Sequence, residues 1–240
     1  MENVKPYHTE KSKKEEVAHM FDNISGRYDF LNHFFSMGID KRWRKKAIRL
    51  LKPFSPKTIL DIATGTGDFA IAALKLNPTK VTGIDISNGM LEKGREKIKK
   101  NKQDDRIELL NGDSENIQFP ENSFDAITVG FGVRNFENLE KGLAEMLRVL
   151  KPGGHVAIIE FSKPKKFPIK QLFGFYSKRV MPFFGKKISK DARAYTYLPE
   201  SVQAFPEGQE MYSILEKVGY KEVRLIPLSG GIATIYMGTK

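Results

Sequence analysis

The chain has 240 residues, of which 40% are hydrophobic and 29% charged, and it contains no cysteine. This composition is typical of one globular domain with a substantial core, and the lack of thiols excludes a disulfide framework, thiolate zinc sites and a cysteine nucleophile. The amino-terminal stretch MENVKPYHTEKSKKEE lacks the apolar core of a signal peptide, and no run approaches the roughly 20 apolar residues of a membrane-spanning helix. We therefore expect a cytoplasmic protein.

The formal net charge of +11 is concentrated in one segment. Between Lys163 and Lys187 lie eight basic residues, six aromatic residues and no acidic residue, and without these eight charges the balance is only +3. A strongly basic chain suggests nucleic acid as a partner. Because the excess is local, we interpret it as a property of this segment rather than of the whole surface.

Residues 1–57 are predicted to form a helical amino-terminal cover. The stretches EEVAHMFDNI and DKRWRKKAIRLL have helix-like spacing of their apolar positions. Residues 58–162 then alternate short β-rich runs with amphipathic helices, which predicts a doubly wound parallel sheet as the core. Its five strands and three helices are predicted in TILDIA, the region Asp68–Leu76, KVTGIDI, SNGMLEKGREKIKK, RIELLNGD, FDAITVGFG, LEKGLAEMLRVL and HVAIIEFS.

Residues 163–205 interrupt this alternation as a predicted helical insertion, and residues 206–240 complete the same single domain. The last segment is predicted to contain the helix GQEMYSILEKVG and the strands EVRLIPL and IATIYMG, joined by the turn SGG. Two strands with so short a connection must be antiparallel. A Rossmann-like α/β sheet that ends in such a hairpin is typical of class I S-adenosylmethionine-dependent methyltransferases.

The stretch ILDIATGTGDFA runs from a strand through a glycine-rich turn into a helix and fits more than one cofactor. Gly65 and Gly67 allow a tight turn and close approach of a ligand, as in dinucleotide sites. Asp68 would suit the helix dipole but repel a pyrophosphate. S-adenosylmethionine has a sulfonium and no phosphate, so we expect Asp61 and Asp68 to favour it as the co-substrate. An NAD(P) oxidoreductase is the remote alternative.

Two carboxylates after later strands complete this prediction. Asp85 ends the second strand and can accept bonds from both ribose hydroxyls, a feature that NAD sites share. Asp113 is placed to accept from the adenine amino group, although it could also be a turn residue, and Asp61 could instead cap the loop. The four scattered histidines have no ligand spacing, and no metal is predicted. The predicted cofactor-binding residues are Asp61, Gly65, Thr66, Gly67, Asp85, Ile86, Asp113, Ser114 and Gly130.

Two further stretches narrow the class of methyltransferase. YDFLNHFFSMGIDKRW, from Tyr28 to Trp43, resembles the first signature of the ubiquinone/menaquinone biosynthesis C-methyltransferases, and RVLKPGGHVAIIEFS resembles their second signature. FGVRN and FSKP are similar to the same family. Two residues depart from the first signature: Leu31 stands where the family usually has methionine, and Asp40 where it has histidine, so position 40 receives no catalytic role.

The resemblance implies methyl transfer from S-adenosylmethionine to a ring carbon of a polyprenylated quinol. A naphthoquinol is the expected substrate, and the sequence does not separate an enzyme that also accepts the benzoquinol precursor of ubiquinone. A small-molecule or sterol methyltransferase would share the core but lack both signatures. Enzymes that methylate exocyclic amines of DNA bases carry N/D-P-P-Y/F after the fourth strand, where this chain has GFGVRN. We therefore do not expect a nucleic-acid substrate.

Four residues are candidates for the chemistry. Arg134 follows the fourth strand, at the edge where such sheets bind ligands, and its permanent charge suits a quinolate oxygen. Asn135 could orient Arg134 or the substrate, and Tyr28 and Asp29 could move the quinol proton. The alternatives are an ion pair between Arg134 and a loop carboxylate, and a structural cap formed by Tyr28 and Asp29.

The basic, aromatic segment 163–187 has several interpretations. It could be a solvated face, an RNA-binding strip, a buried lid over the substrate, or a surface that docks on an anionic bilayer. Docking fits a substrate with a polyprenyl tail, so we expect reversible contact with the inner face of the cytoplasmic membrane. The sequence is also compatible with a homodimer.

Overall fold

The computed structural model describes residues 4–29, 36–175, 179 and 192–240, so Leu31 lies outside the described residues. Its centre is a seven-stranded sheet in the order β3-β2-β1-β4-β5-β7-β6. The strands are β1 (Thr58–Ile62), β2 (Lys80–Asp85), β3 (Ile107–Asn111), β4 (Phe124–Gly130), β5 (Leu150–Phe161), β6 (Lys221–Leu228) and β7 (Ala233–Thr239). Strands β1 to β5 pair in parallel, whereas β7 lies antiparallel between β5 and β6. The predicted class I methyltransferase sheet, with its closing hairpin, is confirmed.

Helices cover both faces of this sheet and its carboxyl edge. They are α1 (Lys13–Ile24), α2 (Ile39–Leu51), α3 (Asp68–Ala73), α4 (Asn88–Lys100), α5 (Leu139–Val149), α6 (Ile169–Phe175), α7 (Ala192–Ala204) and α8 (Gln209–Val218). The helix predicted over Asp68–Leu76 ends early, at Ala73, and continues as a 3₁₀ turn over Leu74–Leu76. Asn77 then takes a left-handed conformation and ends the segment. None of the described helices is long and apolar enough to cross a membrane.

The core forms because each central strand is apolar on both sides. Ile59 and Leu60 of β1 are fully buried, and they point to opposite faces of the sheet because side chains alternate along a strand. Ile59 packs with side chains of α2, α3 and α4, and Leu60 with side chains of α5 and α8. Burial on both faces explains why the β1 sequence reads as a continuous apolar run rather than an alternating one.

A third, small apolar cluster lies outside the two sheet faces. Val17 and Met20 of α1 pack there against Ala194 and Tyr197 of α7. Helix α1 begins at Ser12 with a capping box, in which Ser12 and Glu15 satisfy each other's backbone amides. Because α1 also contacts residues that follow β2 and β4, it lies across the carboxyl edge of the sheet.

Candidate active site

Two cavities meet at the carboxyl edge of the sheet. The smaller, which we call the polar cavity, has a volume of about 60 Å³ and lies where β1 to β4 end. The larger, which we call the apolar cavity, has a volume of about 490 Å³ and lies between α1, α2, α6 and α7. Phe21, Tyr28 and Phe131 line both cavities. A ligand in one cavity therefore lies beside a ligand in the other, with these aromatic side chains at the boundary.

The polar cavity collects most of the residues that the sequence predicts for the cofactor. Six of the nine line it: Gly65, Asp85, Ile86, Asp113, Ser114 and Gly130. Asn135, predicted as a catalytic residue, lines this cavity rather than the apolar one. Because the loops after parallel strands meet at one edge, residues far apart in the sequence become neighbours here.

Asp85 is a buried carboxylate in the lining of the polar cavity. Its Oδ2 accepts a bond of 2.8 Å from the amide of Gly65, and its Oδ1 accepts one of 2.9 Å from the amide of Ser87. Burial raises the pKa of Asp85 to about 6, although these amide bonds favour the charged form. An ionised carboxylate has about four acceptor positions, so it can still receive the two hydroxyls of a ribose. The donor set therefore fits an adenosyl ligand.

The glycine loop leaves backbone space beside Asp85. Gly65 has φ of +56°, and a Cβ there would lie 3.1 Å from the Cε of Met90. A side chain at position 65 would be strained by its backbone and crowded by Met90. Gly65 therefore lets the loop take a conformation that residues with a side chain rarely adopt.

Asp113 is engaged on both oxygens. Lys14 of α1 donates to Oδ2 at 2.5 Å, and the amide of Glu115 donates to Oδ1 at 2.9 Å in a turn. Asp113 is therefore a turn residue, which was one of the two alternatives from the sequence, and it also lines the polar cavity. Lys14 lines the same cavity. It could not be predicted, because nothing in the neighbouring sequence distinguishes it from other surface lysines.

Three predicted cofactor residues support the loop without lining the cavity. Asp61 is buried and accepts bonds of 2.6 Å from the hydroxyls of Thr64 and Thr128, and burial raises its pKa to about 6. Thr66 donates to Asp29, and Gly67 precedes α3 with φ of +80°. Asp61 therefore fixes the shape of the loop through hydroxyl groups rather than facing a ligand.

Asp68 belongs to a chain of alternating charges. Arg44 lies 2.7 Å from both Asp40 and Asp68, and Lys97 reaches Asp68 at 2.9 Å and also binds Asp29. Asp68 lines neither cavity and is paired with two cations of the protein, so its role toward a cationic ligand stays a prediction. These ion pairs join α2, α3 and α4 to the cover segment beside Tyr28. They also account for the burial of Asp40, which stands at a position where the sequence departs from the family signature.

Arg134 lies in the wall of the apolar cavity, on the 3₁₀ turn Val133–Asn135. Its Nη1 donates to Glu160 Oε1 at 2.9 Å and to the carbonyl of Phe131, and its guanidinium lies 5.6 Å from the ring centre of Phe161. Glu160 is fully buried, and burial raises its pKa against the opposing effect of Arg134. Arg134 thus has the ion pair considered from the sequence, but its partner ends a central strand instead of lying in a loop.

One donor of Arg134 is not satisfied. Its Nε is buried and has no hydrogen-bond partner among the described residues. A buried donor without a partner costs about 1–3 kcal/mol, more for a charged group. A functional role is one of the explanations for a buried polar group that has no partner.

Aromatic rings form one end of the apolar cavity. The ring centres of Phe131 and Phe161 lie 4.6 Å apart, and Trp43 lies 5.9 Å from Phe131. Trp43 is fixed by a bond of 2.9 Å from its Nε1 to the hydroxyl of Ser229. Aliphatic and aromatic side chains of α6, α7 and the β6–β7 turn continue the lining: Ile169, Leu172, Phe173, Leu198, Val202 and Ile232.

The two tyrosines of the apolar cavity remain protonated at neutral pH. Burial raises the pKa of Tyr28 and of Tyr197 to about 12 in each case, although nearby Arg134 lowers both. The Tyr197 hydroxyl donates to Asn135 Oδ1 at 3.1 Å. Tyr28 can therefore donate a hydrogen bond to a ligand, whereas proton acceptance by a tyrosinate does not fit its surroundings. Asp29 lines neither cavity, because Thr66 and Lys97 bind it.

Lys13, which has no distinguishing signal in the sequence, connects the cover to the turn that carries Arg134. Its Nζ donates to the carbonyls of Arg134 at 3.1 Å and Phe136 at 2.9 Å. Burial, with a smaller effect of Arg134, lowers the pKa of Lys13 to about 8. Lys13 and Lys14, adjacent at the start of α1, thus bind two different loops at the carboxyl edge, Lys13 the loop after β4 and Lys14 the loop after β3.

Known proteins with similar sequences are methyltransferases. The family model described as the ubiE/COQ5 methyltransferase family matches residues 9–240. A demethylmenaquinone methyltransferase of Bacteroides fragilis is 52% identical over 240 residues, with 100% of this chain and 98% of that one covered. A ubiquinone/menaquinone biosynthesis C-methyltransferase UbiE of Geobacter sulfurreducens is 41% identical over 95% of this chain and 90% of its own.

A solved structure shows the same fold at low identity. It is a protein of Thermotoga maritima described as a SAM-dependent methyltransferase, possible histamine N-methyltransferase, with a TM-score of 0.65 and 20% identity. The match covers 93% of this chain and 99% of that one. At this identity the likeness concerns the fold alone.

Proposed function

Because the chain belongs to the ubiE/COQ5 methyltransferase family, we propose that it transfers a methyl group from S-adenosylmethionine to a ring carbon of demethylmenaquinol, which gives menaquinol. The observation that carries this proposal is the junction of the two cavities. The polar cavity has the acceptors for an adenosyl group, and the apolar cavity has space and lining for a prenylated ring. Arg134 lies on the apolar side of that junction.

S-adenosylmethionine would be held by the residues of the polar cavity, with Asp85 toward the ribose and Asp113 with Ser114 toward the adenine. When bound, it supplies a methyl group that its sulfonium already activates. The protein therefore needs to align the two reactants and exclude water. Helix α1 contributes to both, because it lies across the crevice and is held there by Lys13, Lys14 and Asp22.

The naphthoquinol ring would lie against the aromatic end of the apolar cavity, where Trp43, Phe131 and Phe161 offer flat apolar surfaces. The prenyl tail would follow the aliphatic lining of α6 and α7. A relative named for demethylmenaquinone is 52% identical over the whole chain, which supports this choice of substrate. Another relative, with a name that includes ubiquinone, makes the benzoquinol precursor of ubiquinone the second candidate.

Arg134 would stabilise the oxygen anion that makes the quinol ring carbon nucleophilic. Its charge is permanent, and Glu160 and Phe161 hold the guanidinium in place. A fixed cation or donor beside a developing oxyanion contributes about 10²–10³ in rate. In the balanced reaction the methyl–sulfur bond breaks as the ring carbon gains the methyl group, S-adenosylhomocysteine leaves, and the proton of the ring carbon passes to solvent.

A transfer assay tests this proposal. Purified protein is incubated with S-adenosylmethionine that carries a labelled methyl group and with a reduced, short-chain demethylnaphthoquinol. We expect label in the quinol, and about 10²–10³ less with Arg134→Met, in which the cation is lost. Lack of transfer by a protein that binds S-adenosylmethionine normally would contradict the proposed substrate, and preferred transfer to a demethylated benzoquinol would favour the second candidate.

The localisation of the protein, its contact with a membrane and its oligomeric state are also proposals. We propose a cytoplasmic protein that makes reversible contact with an anionic membrane surface through residues 163–187, of which only 163–175 and 179 are described. Homodimer formation is a further proposal, which sedimentation equilibrium tests. The support for membrane contact is the local excess of basic and aromatic residues and the tail of the proposed substrate.

A further inference from the structure

Large apolar side chains are concentrated at the opening of the apolar cavity. Among the described residues, five such side chains are well exposed, and four of them either line this cavity or lie on or just before α6, which lines it. Met37 and Leu172 line the cavity and are 76% and 66% exposed, so they mark where it opens. Phe167, 81% exposed, comes just before α6, and Phe175 ends that helix. We call these four residues the apolar rim.

The residues of the rim are placed to act together. Leu172 and Phe175 are three positions apart on α6 and therefore lie on the same face of the helix. Phe173 and Ile169, between and before them, turn into the cavity lining. Helix α6 thus presents one side to the cavity and another outward. The fifth exposed side chain, Phe54, lies elsewhere, stacked on His155 at the start of the β5 segment that pairs with β7.

Exposed lysines lie in the same segment as three of the four rim residues. Lys165, Lys166 and Lys170 are exposed in the same segment, and no acidic residue occurs between Lys163 and Lys187. Glu207 is 3.8 Å from Lys165, and it also accepts a bond from the amide of Lys163. The side chain of Lys165 nevertheless remains 83% exposed. A surface of this kind has more positive charge than its own carboxylates neutralise.

This pattern favours an anionic bilayer over another protein as the occupant. Aromatic and aliphatic side chains that stand singly among lysines match the boundary between acyl chains and anionic headgroups. Protein interfaces, by contrast, are depleted in lysine. We propose that the apolar rim inserts into an anionic membrane surface while the lysines contact headgroups, so that the apolar cavity opens directly into the bilayer.

The consequence concerns how substrate reaches Arg134. With the opening in the bilayer, the ring of a prenylated quinol can enter the cavity while its tail remains among the lipids. This route keeps the tail out of water. Moving the tail into water would cost free energy in proportion to its apolar area. The inference rests on the proposed function for the identity of the ligand, but the docking itself does not depend on that identity.

The first test measures binding to vesicles of phosphatidylcholine, with and without phosphatidylglycerol. We expect wild type to bind the anionic vesicles, and Phe167→Ser/Phe175→Ser, at two rim residues that do not line the cavity, to bind them at least tenfold more weakly. Phe54→Ser is the matched control, since it removes an exposed ring away from the rim. Equal loss in the control, or no loss in the rim variant, would overturn the proposal.

The second test concerns charge. Lys165→Glu/Lys166→Glu/Lys170→Glu is expected to lose the preference for anionic vesicles, whereas Lys99→Glu/Lys100→Glu/Lys102→Glu, with the same change in net charge, keeps it. Equal behaviour of these two variants would show a general charge effect and contradict docking at the rim.

Activity measurements separate this inference from the proposed function. The rim variant should methylate a short-chain quinol in solution at the wild-type rate and a long-chain quinol in vesicles at least tenfold more slowly. Equal rates of wild type and variant on the long-chain quinol would contradict entry through the bilayer. If wild type methylated neither quinol, the proposed function would fail while the vesicle binding would still decide the docking.

Discussion

Replacing Glu160 with glutamine tests whether the buried ion pair positions Arg134. The substitution keeps the shape of the side chain but removes its charge. Glu160 is fully buried and the side chain of its partner Arg134 is only 8% exposed, so the guanidinium would lose its counter-charge where it has little contact with water. Breaking a buried pair by removing one partner costs about 3–5 kcal/mol, and we expect the lower end because the amide oxygen can still accept a bond. With Arg134 displaced, we expect a rate loss of about 10²–10³.

Two assays measure these effects separately. Unfolding in urea can be followed by the fluorescence of Trp43, the single tryptophan of the chain, and turnover by transfer of labelled methyl to the quinol. The double variant Arg134→Met/Glu160→Leu leaves no unpaired charge, so it should regain most of the lost stability while remaining inactive. Normal turnover by Glu160→Gln, or an active double variant, would refute the positioning of Arg134 by this pair.

Two further predictions concern the polar cavity and the cover. Asp85→Asn should weaken the binding of S-adenosylmethionine, measured by calorimetry, at least tenfold. The affinity of wild type should fall below pH 6, where Asp85 becomes protonated, and that of the variant should not. Above pH about 8 Lys13 loses its charge, so wild-type turnover should decrease there, whereas Lys13→Met should be slow at every pH and Lys13→Arg should keep the rate at high pH. The pKa of Lys13 is lower in the folded protein than in the unfolded one, so the free energy of unfolding should rise with pH between these two values. If it fell there together with turnover, unfolding would explain the loss of activity, and this would contradict a positioning role.

The sheet and most of the cofactor residues were predictable because their signals are local or periodic. The apolar runs predicted β1 to β5, and the short turn SGG predicted the antiparallel hairpin of β6 and β7. Gly65 and Asp85 follow strands that the pattern identifies, and the topology of a doubly wound sheet brings such positions together. The convergence of the six cavity residues is a consequence of that topology.

Partners that depend on three-dimensional packing could not be predicted. Whether Asp68 faces a ligand depends on Arg44 and Lys97, which lie on two other helices. In the same way, Glu160 reads as part of an apolar strand, and only the pairing of β4 with β5 places it beside Arg134. Lys13 and Tyr197 have no signal at all in the sequence, because their contacts come from helices that pack across the carboxyl edge.

Quinone extraction from cells is the most direct measurement of the central claim, which is that the joined cavities methylate a demethylated naphthoquinol. In cells that lack this protein we predict that menaquinone is replaced by a quinone lighter by one methylene unit. Wild type should restore menaquinone, and Arg134→Met should not. Unchanged menaquinone in the deletion strain, with no second gene of the same family present, would contradict the account.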